Sequence, residues 1–311
     1  MSTRTDKIDA LAKKAGQIGD DPGVSVAAAA WKRLRRNPVF LIGLGIISAF
    51  ILLAILSPFL APHDPTDPML GDQVVKARNE IPESQPGHPL GGDQVGRDLL
   101  SRLLVGSQQT LLVGVLATLI GLTGGLILGT LAGALGGWVD TVVMRAVDVM
   151  LSIPGLLLAV SIGALFARPN VYTLILAVSV VQIPVFARLL RGSMLAQRHS
   201  DHVLAARSLG VKQHAIVFRH MLPNSLGPVI VQSTLVLAIS IIEAAGLSFL
   251  GLGNPDDRAP EWGQMLGRAQ NVIDSHPQLA FWPAGCIIVV ALGFTLMGES
   301  LREALDPKSR R

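Results

Sequence analysis

The chain has 311 residues, of which 50% are hydrophobic and only 15% are charged, and its mean hydropathy is +0.50. Soluble domains carry about 25% charged residues, so this composition argues against a soluble enzyme and against a disordered chain. A disulfide scaffold is excluded as well, because Cys286 is the single cysteine. The formal net charge of +4 acquires a meaning only when the charges are placed relative to the apolar segments.

Six stretches are long and apolar enough to cross a bilayer whose hydrocarbon core is about 30 Å thick. The second stretch is too long for one simple crossing. We expect its first part to lie along the outer surface and its span proper to cover residues 112–135. In chain order the stretches are 39–61, 103–139, 149–167, 169–187, 221–242 and 275–298.

The distribution of Lys and Arg predicts the orientation of these spans. With the N-terminus inside, 19 of the 26 basic residues fall on the cytoplasmic side, the bias expected of inserted membrane proteins. The polar N-terminal segment does not read as a cleavable signal peptide, so both termini are predicted to be cytoplasmic. The predicted parts are a cytoplasmic segment 1–38, a first transmembrane helix 39–61, an extracytoplasmic loop 62–106, a five-helix core 107–303 with an inner loop 189–224, and a cytoplasmic tail 304–311.

A basic cluster at residues 31–36, with the sequence WKRLRR, immediately precedes the first span. A tryptophan among cations at this position is typical of an anchor on an anionic lipid leaflet. Nucleic-acid binding would need basic residues clustered on a folded face. We therefore expect membrane lipid, and no nucleic acid, as a partner of this segment.

Glycine recurs at every fourth position of the second span. Small residues at this spacing let transmembrane helices approach closely. Four residues turn an α-helix by about 400°, so the stripe drifts by about 40° per step and is expected to serve more than one neighbour. Static packing and a helix that slides or rocks during transport both fit the pattern. The glycines of this ladder are Gly121, Gly125, Gly129, Gly133 and Gly137.

The inner loop contains two short helical patterns separated by a glycine. Ser200 or Asp201 is expected to cap a first helix whose last turn ends at Gly210. A second helix is expected from Lys212 to Leu222, where Pro223 would stop it. Ala205 and Leu209 share one face of the first helix, and Ala215, Phe218 and Leu222 form a stripe on the second that is expected to rest on the bundle.

This loop resembles the Glu-Ala-Ala loop of ABC importer permeases. In that family the pattern is Glu-Ala-Ala, three residues, glycine, nine residues, a hydrophobic residue, any residue and Leu-Pro. The chain has Leu-Ala-Ala at 204–206, Gly210, and Leu-Pro at 222–223, with both spacings matched. It departs from the family pattern at Leu204, where glutamate is usual, and at His220, where isoleucine is common.

Three further stretches resemble the shorter permease subunit of dipeptide, oligopeptide and nickel importers, and the resemblance covers roughly residues 30 to 307. It implies an all-α integral membrane protein of the bacterial inner membrane with six transmembrane helices, the type I ABC importer permease fold. The implied function is to form half of the translocation pore for di- or oligopeptides. A permease for nickel or another small solute, or an ion-gradient-driven carrier, is the alternative. The stretches are HPLGGDQVGRDLLSR at 88–102, LSFLGLG at 247–253 and EWGQML at 261–266.

The resemblance also implies partners. They are a second homologous permease subunit, two cytoplasmic ATPase subunits and an extracytoplasmic substrate-binding protein. The inner loop would sit in a cleft on one ATPase and transmit its ATP-driven closure to the spans. The residues expected to form this coupling loop are Ala205, Ala206, Leu209, Gly210, Leu222 and Pro223.

No catalytic signature accompanies these features. The sequence has no Gly-Lys dipeptide, so a phosphate-binding loop with its lysine is absent and ATP hydrolysis is expected from the partner subunits. His-Glu-x-x-His is absent too, and the seven histidines are scattered. We expect no catalytic residue, no metal and no cofactor in this chain, with ATP and Mg²⁺ bound by the partner ATPases. The inner-loop histidines, expected to be solvated rather than metal-binding, are His199, His202, His214 and His220.

Glu243 is the one carboxylate well inside a predicted span. Intramembrane acids are costly and usually face protein or a watery cavity. A place on the substrate path and a structural role near the outer end of the span are therefore both open. Glu243-Ala244-Ala245 also repeats the letters of the loop motif, but it lies in the fifth span and is not the loop.

Overall fold

The computed structural model describes residues 26–75 and 80–305. Residues 1–25 and 306–311, on which most of the predicted N-terminal segment and tail fall, lie outside the described residues. Within the described ranges the regular structure is helical, apart from three isolated β-bridges. The helices of eight residues or more are α1 (Val26–Leu34), α2 (Pro38–Leu60), α3 (Leu99–Leu135), α4 (Gly137–Ser152), α5 (Gly155–Gly163), α6 (Val171–Gln197), α7 (Asp201–Ser208), α8 (Leu222–Phe249), α9 (Trp262–Ala269) and α10 (Gln278–Leu305).

Four predicted spans correspond to the single helices α2, α6, α8 and α10. α2 matches its predicted span to within one residue at each end, whereas the other three helices continue well beyond the predicted ends. The extension of α6 has a clear cause, because two arginines in its last three turns find carboxylate partners on α4. Arg188 pairs with Asp148, and Arg191 forms two hydrogen bonds of 2.6 Å to Asp140.

The second predicted span is one unbroken helix. α3 has 37 residues, and at 1.5 Å per residue it is about 55 Å long, well beyond the bilayer core of about 30 Å. The expected separation of a surface segment from a span beginning at residue 112 is therefore wrong. Leu99, Arg102 and Leu103 in the first turns of α3 are buried, so contacts with other parts of the chain, rather than the membrane surface, hold this extension.

The third predicted span, 149–167, is wrong as a single straight helix. The chain bends by 95° between α4 and α5. Ile153 is extended, with φ −94° and ψ 130°, because the ring of Pro154 disfavours the helical conformation of the residue before it. A second elbow separates α3 from α4, where Gly136 and Gly137 have φ of +67° and +56°, a region that favours glycine.

The packing of α3 on α6 shows that the bent pair runs from one end of the bundle to the other. Gly121 lies against Gln182, Gly129 against Leu190, and Gly133 against Met194. Because the residue numbers rise together, α3 and α6 run in the same direction. The chain between them must return to the opposite end of the bundle, so α4 and α5 together complete a sixth span. α1 also packs against α10, which brings the first and last described helices together.

The glycine ladder serves one neighbour. Gly121, Gly125, Gly129 and Gly133 all face α6, so the expected drift to several neighbours is wrong. The contacts on α6 also recur at every fourth residue, so the two helices follow each other around their common axis. Gly137 does not belong to the packed stripe, because it lies in the elbow after α3.

Candidate coupling loop and transport path

The two ends of the bundle carry different structures. One end carries the loop between α6 and α8, and we call it the Gly210 end. The other carries the described residues 61–75, 80–98 and 250–277, which include α9, and we call it the Trp262 end. The sequence motifs that carry the family resemblance divide between these two ends.

At the Gly210 end, α7 is fastened to the bundle along one side only. Val203 and Ala206 are buried in one apolar cluster with Ile216 and Met221 of the following segment and Met194 of α6. The opposite side of the loop is open. Ala205 is exposed, and the large apolar side chains Leu204, Leu209 and Phe218 are exposed at 44%, 84% and 62%.

The predicted glycine elbow is present and has a defined hydrogen-bond pattern. α7 ends at Ser208, and Gly210 follows with φ +76°. The Gly210 N–H donates to the Arg207 carbonyl over 3.0 Å, and the Val211 N–H donates to the Ala206 carbonyl over 3.1 Å. This is a Schellman motif, whose left-handed position favours glycine because it has no Cβ. Gly210 thus turns the chain sharply while the last carbonyl groups of α7 remain bonded.

The predicted start of the first loop helix needs a correction at its cap. Ser200 occupies the N-cap position of α7, but its side chain makes no capping hydrogen bond. The Ser200 hydroxyl instead donates to the Gln197 carbonyl at the end of α6 over 2.7 Å. The serine therefore joins two consecutive helices rather than closing the second one.

The second loop helix differs from its prediction in where it ends and in which side chains are buried. A turn at Gln213–Ala215 leads into a π-helical segment, Ile216–Met221, which continues directly into α8. Pro223 does not stop the helix, because it lies in the first turn of α8, where a missing N–H is tolerated. Of the predicted stripe, Leu222 packs against the apolar cluster of the bundle, whereas Phe218 is exposed, because the wider π-helical turn changes which side chains face inward. Ile216, Val217 and Met221 are buried instead.

At the Trp262 end, the charged residues of the 88–102 motif form a buried network. Arg97 pairs with Asp93 over 2.7 Å, and the Nε of Arg102 lies 3.4 Å from the same carboxylate. Arg102 is only 1% exposed, and it also donates to the carbonyl groups of Pro65 and Arg258. Removing one member of such a buried network is costly, because it leaves charges without partners.

α9 is held against α3 through its first turn. Glu261 caps α9 by accepting hydrogen bonds from the N–H groups of Gly263 and Gln264. The buried Trp262 donates from Nε1 to the Leu103 carbonyl over 3.0 Å. The motifs at 88–102 and 261–266 therefore hold the first turns of α3 and the two segments of the Trp262 end together.

Asp98 caps α3 and collects two histidines that the sequence does not place together. Its Oδ2 accepts hydrogen bonds from the backbone and hydroxyl of Ser101, and its Oδ1 lies 2.9 Å from Nδ1 of His88. His63 stacks on His88 with 4.2 Å between ring centroids. Burial by itself raises the pKa of Asp98, but the hydrogen bonds from Ser101 and His88 outweigh it and leave the pKa below its usual value.

Glu243 lies on α8 and faces α6 and the bend before α5. Gln182 donates from Nε2 to Oε2 of Glu243 over 2.8 Å. The other carboxylate oxygen lies so close to Gly155 that a Cβ there would be 2.9 Å from it. Among the described residues, no Lys, Arg or His forms an ion pair with Glu243.

A surface concavity opens between α6, α8 and the end of α4. Its volume is about 760 Å³, and Arg188, Gly192, Pro228 and Gln232 are among the residues that line it. Arg188 is at the same time paired with Asp148. The wall therefore combines apolar side chains with an amide and an ion pair.

Comparison with known proteins assigns the chain to a family. Residues 125–311 match the family described as binding-protein-dependent transport system inner membrane component. Residues 25–82 match the N-terminal transmembrane domain of oligopeptide transport permease C.

Full-length relatives agree with this assignment. The dipeptide transport system permease protein DppC of Alkalihalophilus pseudofirmus is 38% identical over 90% of both chains. The glutathione transport system permease protein GsiD of Pectobacterium atrosepticum is 38% identical over 89% of this chain and 90% of its own. The probable D,D-dipeptide transport system permease protein DdpC of Escherichia coli is 40% identical over the same shares.

A solved structure supports the fold. A chain of the MetNI methionine ABC transporter in an inward-facing conformation aligns with a TM-score of 0.54 at 19% identity, covering 66% of this chain and 96% of its own. The helical architecture is therefore that of an ABC importer permease. The chain belongs to the binding-protein-dependent transport system inner membrane component family, as a multi-pass inner membrane permease of the DppC/OppC type.

Proposed function

We propose that this chain forms half of the translocation pore of an ATP-driven importer of di- or oligopeptides and couples to a cytoplasmic ATPase through the loop at its Gly210 end. The observation that carries the proposal is the loop itself. Val203, Ala206 and Met221 pack it against the bundle, yet the side chains of Leu209 and Phe218 are exposed on its surface. Exposed apolar side chains on a well-anchored element are typical of a protein interaction site.

The coupling mechanism follows from the one-sided attachment of α7. A force applied to the exposed side reaches α6 and α8 directly, because Met194 of α6 and Val229 of α8 lie in the same buried cluster as Val203 of α7. Closure of an ATPase dimer would then move α6 and α8 as packed bodies and change the access to the pore. The residues that would touch or shape the ATPase cleft are Ala205, Ala206, Leu209, Gly210, Leu222 and Pro223.

The pore requires a second permease subunit. The concavity between α6 and α8 is open to the surface, and a homologous chain would close it to form a shared path. A substrate-binding protein would deliver peptide at the Trp262 end. We place the Gly210 end and both termini in the cytoplasm, since this puts 19 of the 26 Lys and Arg inside.

The proposed substrate class rests on the relatives, whose names specify dipeptides, D,D-dipeptides and glutathione. All three are short peptides or peptide-like molecules.

We expect vesicles that contain the chain with its co-purified subunits to take up a labelled dipeptide only with ATP inside and binding protein outside. Vesicles with the chain alone should neither hydrolyse ATP nor accumulate peptide. ATP hydrolysis by the chain alone, or uptake of nickel and not of dipeptide, would contradict the proposal.

We further propose that Glu243 lines the substrate path and receives the amino group of the peptide. A neutral glutamine would make the same hydrogen bond with Gln182 at lower cost in a membrane interior, so a structural role alone does not explain the carboxyl group. Its place beside the bend before α5 also supports this role, because interrupted helices in transporters commonly line binding sites.

Glu243→Gln is expected to lower dipeptide uptake at least tenfold and to leave the melting temperature of the purified complex nearly unchanged. The N-acetylated dipeptide tests the reason. The wild type should transport it poorly, whereas the variant should no longer distinguish it from the free dipeptide. If Glu243→Gln took up the free dipeptide as fast as the wild type does, Glu243 would have a structural role instead.

A further inference from the structure

We propose that His63, His88 and Asp98 form a binding site for one divalent transition-metal ion of the Zn²⁺ class at the Trp262 end. One ligand atom of each residue lies within 4.8 Å of the other two. Two imidazoles and a carboxylate suit Zn²⁺ and similar ions, while Mg²⁺ prefers oxygen ligands alone.

The distances between the ligand atoms are close to those of a filled site. Zn²⁺ binds His nitrogen and carboxylate oxygen at about 2.1 Å, so two ligands of a tetrahedral site lie about 3.4 Å apart. Nδ1 of His88 lies 2.9 Å from Oδ1 of Asp98, and Nδ1 of His63 lies 3.9 Å from Oδ2. Binding of one ion also requires the ring of His63 to rotate out of its stack on His88, because an imidazole nitrogen binds a metal in the plane of its ring and the two ring planes are only 20° apart.

His63 carries the inference, because its Nδ1 makes no hydrogen bond in the fold. Its Nδ1 is buried and has no hydrogen-bond partner, a situation that costs free energy unless a ligand fills it. The residue is nevertheless held in place, since its backbone N–H donates to the Ser101 hydroxyl over 3.1 Å. The stacking of its ring on His88 turns both Nδ1 atoms toward Asp98.

The local charges permit a cation. Among the described residues, the ion pairs of Asp98 involve only the two histidines. The nearby Arg97 and Arg102 are directed to Asp93 instead. Oδ2 of Asp98 is held by Ser101, so the carboxylate is oriented before an ion arrives.

Binding requires a change of tautomer on His88 as well as the rotation of the His63 ring. In the absence of an ion, the proton on Nδ1 of His88 is donated to Oδ1 of Asp98. When the ion binds, Nδ1 of His88 and Oδ1 become ligands, and the proton moves to Nε2 of the same ring. Nδ1 of His63 binds through its lone pair, and water completes the coordination shell. The bound ion would link the segment after α2, the loop before α3 and the first turn of α3.

The test uses the purified chain in lipid nanodiscs, prepared without a histidine tag and treated with EDTA. We expect the wild type to bind one Co²⁺ per chain, detected by its visible absorption, and Zn²⁺ to displace it. His63→Ala and His88→Ala should each weaken binding at least tenfold. His199→Ala, which removes an exposed histidine at the opposite end, should bind as the wild type does.

The effect of Zn²⁺ on the melting temperature is a second measurement, and it also shows whether each variant is folded. Zn²⁺ should raise the melting temperature of the wild type and of His199→Ala, because an ion that binds only the folded state stabilises it. It should have no effect on His63→Ala. This variant is decisive, since the removed Nδ1 has no hydrogen bond to lose. The proposal would be overturned by a wild type that binds no stoichiometric ion, or by His63→Ala with wild-type affinity.

Discussion

Replacing Gly210 by valine is expected to abolish ATP-driven transport while the chain still inserts into the membrane at normal abundance. Gly210 has φ +76°, a conformation that costs an L-residue about 1–2 kcal/mol and a β-branched residue more. Relief of this strain would break the Schellman motif and turn α7 away from its position. The measurements are dipeptide uptake by vesicles and the amount of ATPase subunit that co-purifies with the chain.

The Trp262 end of the bundle provides a closely matched control. Gly251 follows α8 in the same motif, with φ +81°, and its N–H donates to the Ser248 carbonyl. No atom lies within 4 Å of a Cβ at either Gly210 or Gly251, so valine introduces the same kind of strain at both. Gly251→Val should lower the melting temperature similarly but keep the ATPase subunit bound. Equal loss of ATPase binding in both variants would refute the coupling assignment.

A strain-free variant separates the shape of the loop from its surface. Leu209 is 84% exposed, so Leu209→Glu should fold like the wild type. If the exposed face binds an ATPase, the buried carboxylate would weaken that contact strongly, because a charge in an apolar interface loses its hydration. Unchanged ATPase binding by Leu209→Glu would place the contact elsewhere.

Gly129→Val is expected to prevent stable packing of α3 on α6. A Cβ at Gly129 would lie 2.8 Å from the Ala187 carbonyl oxygen and 2.9 Å from Cβ of Leu190. Neither contact is the flexible end of a side chain, so the helices must separate, and overpacking of this kind costs about 1–3 kcal/mol or more. We expect a much lower yield of purified protein and a lower melting temperature.

Gly45→Val is the control for this substitution. Gly45 lies on the exposed side of α2, where no atom lies within 4 Å of an added Cβ. The same increase in side-chain size should therefore be tolerated there, with yield and melting temperature close to those of the wild type. If Gly129→Val were equally well tolerated, the ladder would not be the contact surface that holds α3 and α6 together.

Features that depend on neighbouring residues could be predicted from the sequence. Length and hydropathy located the four spans that are single helices, and the spacing of Gly121 to Gly133 indicated close helix packing. The elbow at Gly210 was predicted because a left-handed turn after a helix has a local chemical signature. Its role in coupling remains a prediction, as do the roles of Leu209 and Glu243.

Features that depend on competing local interactions were predicted wrongly. An apolar run shows that residues 149–167 prefer the membrane, but it does not show that Pro154 bends the chain by 95°. Pro223 was taken as a helix stop, although a proline in the first turn of a helix is well accommodated. The π-helical segment changed which side chains of the inner loop are buried. A hydropathy pattern with a period of 3.6 residues does not reveal a π-helical turn.

The sequence by itself determined that this chain spans a membrane, that it belongs with importer permeases, and which loop carries the family pattern. Only the tertiary structure decided that the ladder meets α6 alone, that Gln182 reaches Glu243, and that His63 stacks on His88 beside Asp98. The physical reason is the range of the interactions. Hydropathy, turn conformation and helix capping act within a few residues, whereas a helix contact or a ligand cluster depends on how distant segments pack.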